Sequence, residues 1–175
     1  ALNILTCLEH RGAFSSDGRT GDGAGILIEI PHNFFKKQCD FNLPKANEYA
    51  VGMVFLPNKI NQSNYCIKIF EDEIKKQELE IIGWRDVPVN SKVVGSIASK
   101  TQPTIKQVFI KPKDSKLNEK QFNLKLFVAR KISENIIYDS DNYPEAIYKE
   151  YHPWKSKHNK LVFNDVKLNE KIIDY

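Results

Sequence analysis

Leu8-Glu9-His10-Arg11-Gly12-Ala13, a polar loop, then Thr20-Gly21-Asp22-Gly23-Ala24-Gly25-Ile26-Leu27-Ile28-Glu29-Ile30: the reading of this stretch decides the fold. Ahead of it, Leu2, Leu5 and Leu8 recur at helical spacing, so Ala1 to His10 is expected to be the last part of a helix. Arg11-Gly12 closes that helix, because glycine enters the left-handed region without steric penalty. Ser15 to Gly18 carries the residue types that turns favour. Gly21, Gly23 and Gly25 alternate with Asp22 and Ala24, and such small residues let another backbone or a ligand come close. Gly23 to Ile30 then reads as a buried strand, which Pro31 ends.

Outward from there, Pro31 to Lys37 is expected to be a short helix with proline at its first position. Tyr49 to Leu56 reads as a strand closed by Pro57. Asn61 or Ser63 can cap a helix through about Lys76, since Cys66, Ile69, Phe70 and Ile74 recur at helical spacing. Leu79 to Trp84 is a strand, and Trp84-Arg85-Asp86 is expected to end it with an internal ion pair. Val94 to Lys100 predicts a helical turn, and Ile105 to Ile110 alternates as a half-buried strand does. Asn118 to Ile137 is the longest helix, with Phe122, Leu126, Ala129, Ile132 and Ile136 on one face. This order indicates an α+β domain with a largely antiparallel sheet. Asp139-Ser140-Asp141-Asn142-Tyr143-Pro144 breaks the pattern, so residues 1–138 read as one domain and 139–175 as an unassigned, aromatic and lysine-rich tail.

Composition narrows the class. The 41% apolar and 11% aromatic content suits a globular protein, and 175 residues suffice for one domain. No apolar run approaches the roughly 20 residues of a membrane helix, and no secretory signal is visible. The net charge of +4 comes from scattered lysines rather than a basic, aromatic-lined face, so neither nucleic acid nor a membrane is expected as partner. Cys7, Cys39 and Cys66 are odd in number and lack metal-ligand spacing, which suits a reducing compartment, cytoplasm or plastid stroma. Without an initiator methionine, and opening inside an amphipathic pattern, the chain is expected to continue upstream.

His10-Arg11-Gly12-Ala13, followed by Thr20-Gly21-Asp22-Gly23-Ala24-Gly25-Ile26-Leu27, Ile30-Pro31-His32 and Phe34-Phe35, resembles the amino-terminal class II glutamine amidotransferase domain of glutamate synthase large subunits. A second block agrees in the same order: Gly83-Trp84-Arg85-Asp86-Val87-Pro88-Val89, Gly95, Gln102-Pro103 and Gln107-Val108-Phe109. The resemblance runs from about Ala1 to Ile137. It implies a partial four-layer αββα sandwich of the amino-terminal-nucleophile hydrolase type. The helical regions Tyr65 to Gln77 and around Phe122 would be outer layers.

The resemblance also implies a chemistry: ammonia is released from glutamine and passed to 2-oxoglutarate to make glutamate. Glutamine and the remaining domains of glutamate synthase are the implied partners. FMN and an iron–sulfur cluster are implied for those other domains, with no cofactor in this chain. The implied nucleophile is an amino-terminal cysteine whose own α-amino group is the base. Here the first residue is Ala1, and Cys7 sits mid-helix without a free amine, so no catalytic residue is assigned within the chain. The implied glutamine-binding arginine lies in a His-Ser-Arg-Phe-like segment and the oxyanion donors in a His-Asn-Gly-like segment. Neither occurs between Lys111 and Tyr175, and Asn123-Leu124 and Asn164-Asp165 lack the glycine. The expectation is a fragment that is inactive alone.

What remains is a supporting shell: His10, Arg11, Gly12, Gly21, Asp22 and Gly23. Arg11 has two readings, a structural cation bonding carbonyls and Asp22, or a charge lining the glutamine pocket. His10 reads as a helix-end cap or as a proton shuttle. Asp22 can orient backbone amides or accept from Arg11, and it has no second carboxylate in reach by sequence for a metal. A non-catalytic remnant, or a repurposed binding domain, is the alternative from a different functional class. Another class II amidotransferase, such as the asparagine or amidophosphoribosyl enzymes, is weakened by the long Trp84 to Pro88 block.

Overall fold

A computed structural model of the chain describes Asn3, residues 12–21 and residues 28–140. Its elements are α1 (His32–Gln38), β1 (Ala50–Leu56), α2 (Ile60–Lys76), β2 (Leu79–Asp86), 3-10 turns at Ser91–Val93 and Ala98–Lys100, β3 (Thr104–Pro112) and α3 (Glu119–Tyr138). The expected first helix (Asn3 apart), most of the Gly23 to Ile30 strand and the tail beyond Ser140 lie outside the described residues. Ile28 to Ile30, the described end of that expected strand, belong to no element, and all three are exposed.

The strands form one antiparallel sheet in the order β1-β3-β2, in keeping with the α+β class read from the sequence. β1 pairs with β3 from Ala50↔Ile110 to Leu56↔Thr104, and β2 pairs with β3 from Leu79↔Pro112 to Asp86↔Lys106. A register shift between Ile81 and Gly83 makes Ile82 the extra residue of a bulge. The half-buried reading of β3 is corrected. Val108, Phe109 and Ile110 are consecutive and all buried, because β3 is the central strand and both its faces are covered.

One face carries the helix pair. Ile74 from α2, Leu79 from β2, Val108 and Ile110 from β3 and Ala129 from α3 form its core, with Phe70, Trp84, Phe122 and Leu126 packed around them. Burying side chains of this size fully contributes about 1.5–3 kcal/mol each. Phe109 points to the other face, into Phe35 of α1 and Tyr49, with Phe41, Leu43, Val51 and Ile82 alongside. There Phe35 and Phe41 present their edges to Phe109 at 5.0 Å and 5.2 Å between ring centroids.

The two long helices start differently. α3 has a capping box: Asn118 Oδ1 accepts from the Gln121 amide at 2.9 Å, and Gln121 Oε1 accepts from the Asn118 amide at 3.1 Å. α2 begins after Lys59 with no side-chain cap, so the expected caps Asn61 and Ser63 both fall inside the helix, where Ser63 is buried. The apolar face of α3 is also turned from the expected one. Phe122, Leu126, Ala129 and Ser133 face the core, whereas Ile132 and Ile136 are exposed. Ser133 tolerates burial because its hydroxyl donates to the Ala129 carbonyl at 2.7 Å.

Candidate functional site

Residues 12–21 form a small closed loop. Phe14 and Gly21 make an antiparallel bridge, the Ser15 amide donates to the Thr20 carbonyl at 2.6 Å, and the Gly18 amide donates to the Ser15 carbonyl at 3.0 Å. The expected turn over Ser15 to Gly18 is therefore present. Asp17 organises it: Oδ1 accepts from the amides of Arg19 at 3.1 Å and Thr20 at 2.7 Å, and Oδ2 accepts from the Thr20 hydroxyl at 2.6 Å. An aspartate bonded in this way to backbone two and three residues ahead is a common turn device.

Asp17 does more than close its own turn. Oδ2 also accepts from the Ser96 hydroxyl at 3.2 Å and the Ile97 amide at 3.1 Å, and Thr20 Oγ1 accepts from the Ala98 amide at 3.2 Å. Residues about eighty positions apart are thus held by one carboxylate and one hydroxyl. Gly95 makes the approach possible. A Cβ there would collide with Thr20 Oγ1 and lie 2.5 Å from the Thr20 amide nitrogen and 2.8 Å from Asp17 Oδ2. Donation from the Thr20 hydroxyl, then from its amide, holds the Asp17 carboxyl well below the usual carboxylate range.

A polar cleft of about 330 Å³ is lined by Asn58, Asp86, Ser91, Gln102 and Thr104 among others. Its polar groups are matched to one another. Asn58 Nδ2 donates to the Gln102 carbonyl at 2.6 Å, Thr104 Oγ1 donates to Asn58 Oδ1 at 2.9 Å, and Gln102 Nε2 donates to Ser91 Oγ at 2.9 Å. The expected Arg85–Asp86 ion pair is corrected. Asp86 pairs with Lys106 at 2.6 Å, while Arg85 Nη1 donates to Gln107 Oε1 at 2.8 Å and its guanidinium lies 5.6 Å from the Phe34 ring centre. Successive strand residues point to opposite faces, so neighbours in a strand cannot pair.

Of the six residues singled out from the sequence, Gly12 and Gly21 are described, and His10, Arg11, Asp22 and Gly23 lie outside the described residues. Gly12 and Gly21 are both exposed and stand at the two ends of the Asp17 loop, flanked in sequence by Arg11 and Asp22. A Cβ on Gly21 would lie 2.7 Å from the Ala13 carbonyl oxygen, so the small residue serves the closure of the loop itself. Asp17, Thr20 and Ser96 were not among the six. The Asp17-to-Thr20 spacing signals the turn, but nothing local signals partners near residue 97.

Cys39 and Cys66 are free thiols, and burial pushes both above the ordinary thiol range, which disfavours the nucleophilic thiolate. Among the described residues no three His, Cys, Asp or Glu side chains are grouped to hold a metal ion. No helix among them is long and apolar enough to cross a membrane.

The family model for class II glutamine amidotransferases matches residues 1–163. Over 135 residues the chain is 42% identical to a glutamate synthase [NADPH] large chain of Bacillus subtilis, covering 77% of this chain and 9% of the relative. It is 43% identical over 143 residues to a glutamate synthase [NADH] of Saccharomyces cerevisiae, covering 75% of this chain and 7% of the relative. It is 42% identical over 141 residues to a ferredoxin-dependent glutamate synthase of Pyropia yezoensis, covering 78% and 9%. The chain spans less than a tenth of the length of these relatives.

Proposed function

The chain belongs to the class II glutamine amidotransferases and is similar to the matching part of glutamate synthase large chains, and from that premise we propose that it is part of a glutaminase domain. The observation that carries the reading is the meeting of the two sequence blocks. The Asp17–Thr20 turn of the first is bonded to Ser96, Ile97 and Ala98, just beyond Gly95 of the second. That contact fixes where the loop of the first block sits relative to the segment of the second.

In this reading the sheet face bearing Phe109 is the inner face of a four-layer αββα sandwich, with α2 and α3 as one outer layer. The loop between Gly12 and Gly21 borders the glutamine pocket. The nucleophile is a terminal cysteine outside these 175 residues. Its α-amino group takes the thiol proton, the thiolate attacks the side-chain amide carbon, the collapsing tetrahedral oxyanion expels ammonia carrying that proton, and water hydrolyses the thioester to release glutamate and restore the thiol. Ammonia then passes to 2-oxoglutarate elsewhere in a longer polypeptide, where other domains hold FMN and an iron–sulfur cluster and make glutamate by reduction.

The test is direct. The full-length polypeptide carrying this stretch is incubated with glutamine, and glutamate and ammonia are followed together. Equal release of both, abolished when the terminal thiol is alkylated, is the expected result. A folded polypeptide that releases neither refutes the reading.

A further inference from the structure

Asp17 faces five donors contributed by two distant segments: the amides of Arg19, Thr20 and Ile97 and the hydroxyls of Thr20 and Ser96. A turn needs only the local three of these. The two from Ser96 and Ile97 do nothing for the turn and tie it instead to the segment that leaves β2. Thr20 repeats the arrangement, since its hydroxyl both donates to Asp17 and accepts from Ala98. The close packing at Gly95 leaves no slack, because Thr20 and Asp17 fill the space a side chain would take.

A surface aspartate that closes its own turn and also bonds a segment about eighty residues away fixes where that turn sits. The turn is short, so fixing its middle fixes its ends. Those ends are Gly12 and Gly21. We propose that Asp17 is a positioning residue for glutamine: through the clasp to Thr20, Ser96 and Ile97 it holds the Gly12–Gly21 loop in the arrangement that binds the substrate. This rests on the glutaminase reading and deepens it. Asp17 reaches the reaction through the loop alone, so loosening the clasp lowers the fraction of molecules whose loop is competent to bind. Apparent affinity falls by that fraction, while the bound complex reacts as before.

The discriminating measurement separates KM from kcat for glutamine hydrolysis by the full-length polypeptide. Asp17→Asn removes the charge and turns one acceptor into a donor that faces donors. It is expected to raise the KM for glutamine about tenfold and to change kcat less than about twofold. Thr20→Val should act in the same direction, whereas Thr20→Ser keeps the hydroxyl and should restore wild-type KM. Gly95→Ala attacks the clasp from the opposite segment and should reproduce the Asp17→Asn signature. Amide exchange at Thr20 and Ile97 should quicken in Asp17→Asn and stay slow in Thr20→Ser.

If the wild type hydrolyses glutamine and Asp17→Asn leaves KM unchanged, the positioning role is refuted and the glutaminase reading stands. A fall in kcat with KM unchanged refutes it equally. If the wild type itself releases no glutamate, the glutaminase reading fails and this role fails with it.

Discussion

Gly83→Ala tests the packing of the sheet face that carries Phe109. A Cβ at Gly83 would run into the Phe41 ring, 2.5 Å from Cε1 and 2.8 Å from Cγ. Carbon pairs prefer about 3.5–4.0 Å, so the ring would have to retreat by about 1 Å. It cannot swing away freely, because Phe41 already sets its edge against Phe109 at 5.2 Å and Phe109 is fully buried. Overpacking of this kind costs about 1–3 kcal/mol, and the tight ring cluster places it near the upper end. Against that, alanine in a strand recovers about 0.5–1 kcal/mol of backbone entropy, and φ at Gly83 is not in the left-handed region. The net is about 2 kcal/mol, or roughly thirtyfold in the local opening equilibrium. Native-state hydrogen exchange at β2–β3 amides of the full-length polypeptide reads that opening without requiring two-state unfolding. Phe41→Leu should relieve the clash, so the double variant should be more stable than the summed single effects by about 1–2 kcal/mol. A single variant within about 0.5 kcal/mol of wild type, or strict additivity in the double, refutes this account of the packing.

Three further outcomes follow from the same structure. Asn118→Ala removes one half of the α3 capping box and should cost about 1 kcal/mol, seen as faster exchange in the first turn of that helix; an unchanged first turn would contradict the cap. The Asp17 carboxyl is held below its ordinary value of 3.8, so the clasp's stabilisation is complete above that value and is lost only as pH falls through the lower folded-state pKa. Thr20 and Ile97 amide signals should therefore not move between pH 7 and pH 4, and a midpoint near 4 would contradict it. Burial raises the Cys66 thiol above 9.0, so iodoacetamide should modify it slowly at pH 8 and faster only above pH 9; reaction at the rate of a free small thiol would show that Cys66 is not packed into α2's inner side.

What the sequence disclosed was what short-range physics governs. The stripe of Cys66, Ile69, Phe70 and Ile74 marks α2 because it repeats every three to four residues, and Asn118 marks the start of α3 because its cap partner is only three residues on. The antiparallel strands were legible for the same reason. Pairing order was not. The alternation in Ile105 to Ile110 suggests one buried face, and only the position of β3 between two other strands explains why Val108, Phe109 and Ile110 are all buried. Strand periodicity excludes the expected Arg85–Asp86 pair, because adjacent strand residues point to opposite faces. At the candidate site, the glycines pointed to the loop, but Asp17 stands in it as an ordinary turn residue. Its importance comes from Ser96 and Ile97, and a separation of about eighty residues leaves no local pattern.

The strand order also sets a schedule for synthesis. Among the described residues β1 and β2 are not neighbours in the sheet; each pairs with β3, the last of the three described strands to be made. On the ribosome, the edge of β1 therefore waits for Thr104 to Pro112 to emerge. At about 5–20 residues per second, the interval from Leu56 to Pro112 is roughly 3–11 s. During it, α2 can form and cover part of β2, while the β3-facing edges of both strands stay open to other nascent chains. A synonymous slowdown between the codons for Asp86 and Thr104 would lengthen that window, and a faster passage there would shorten it.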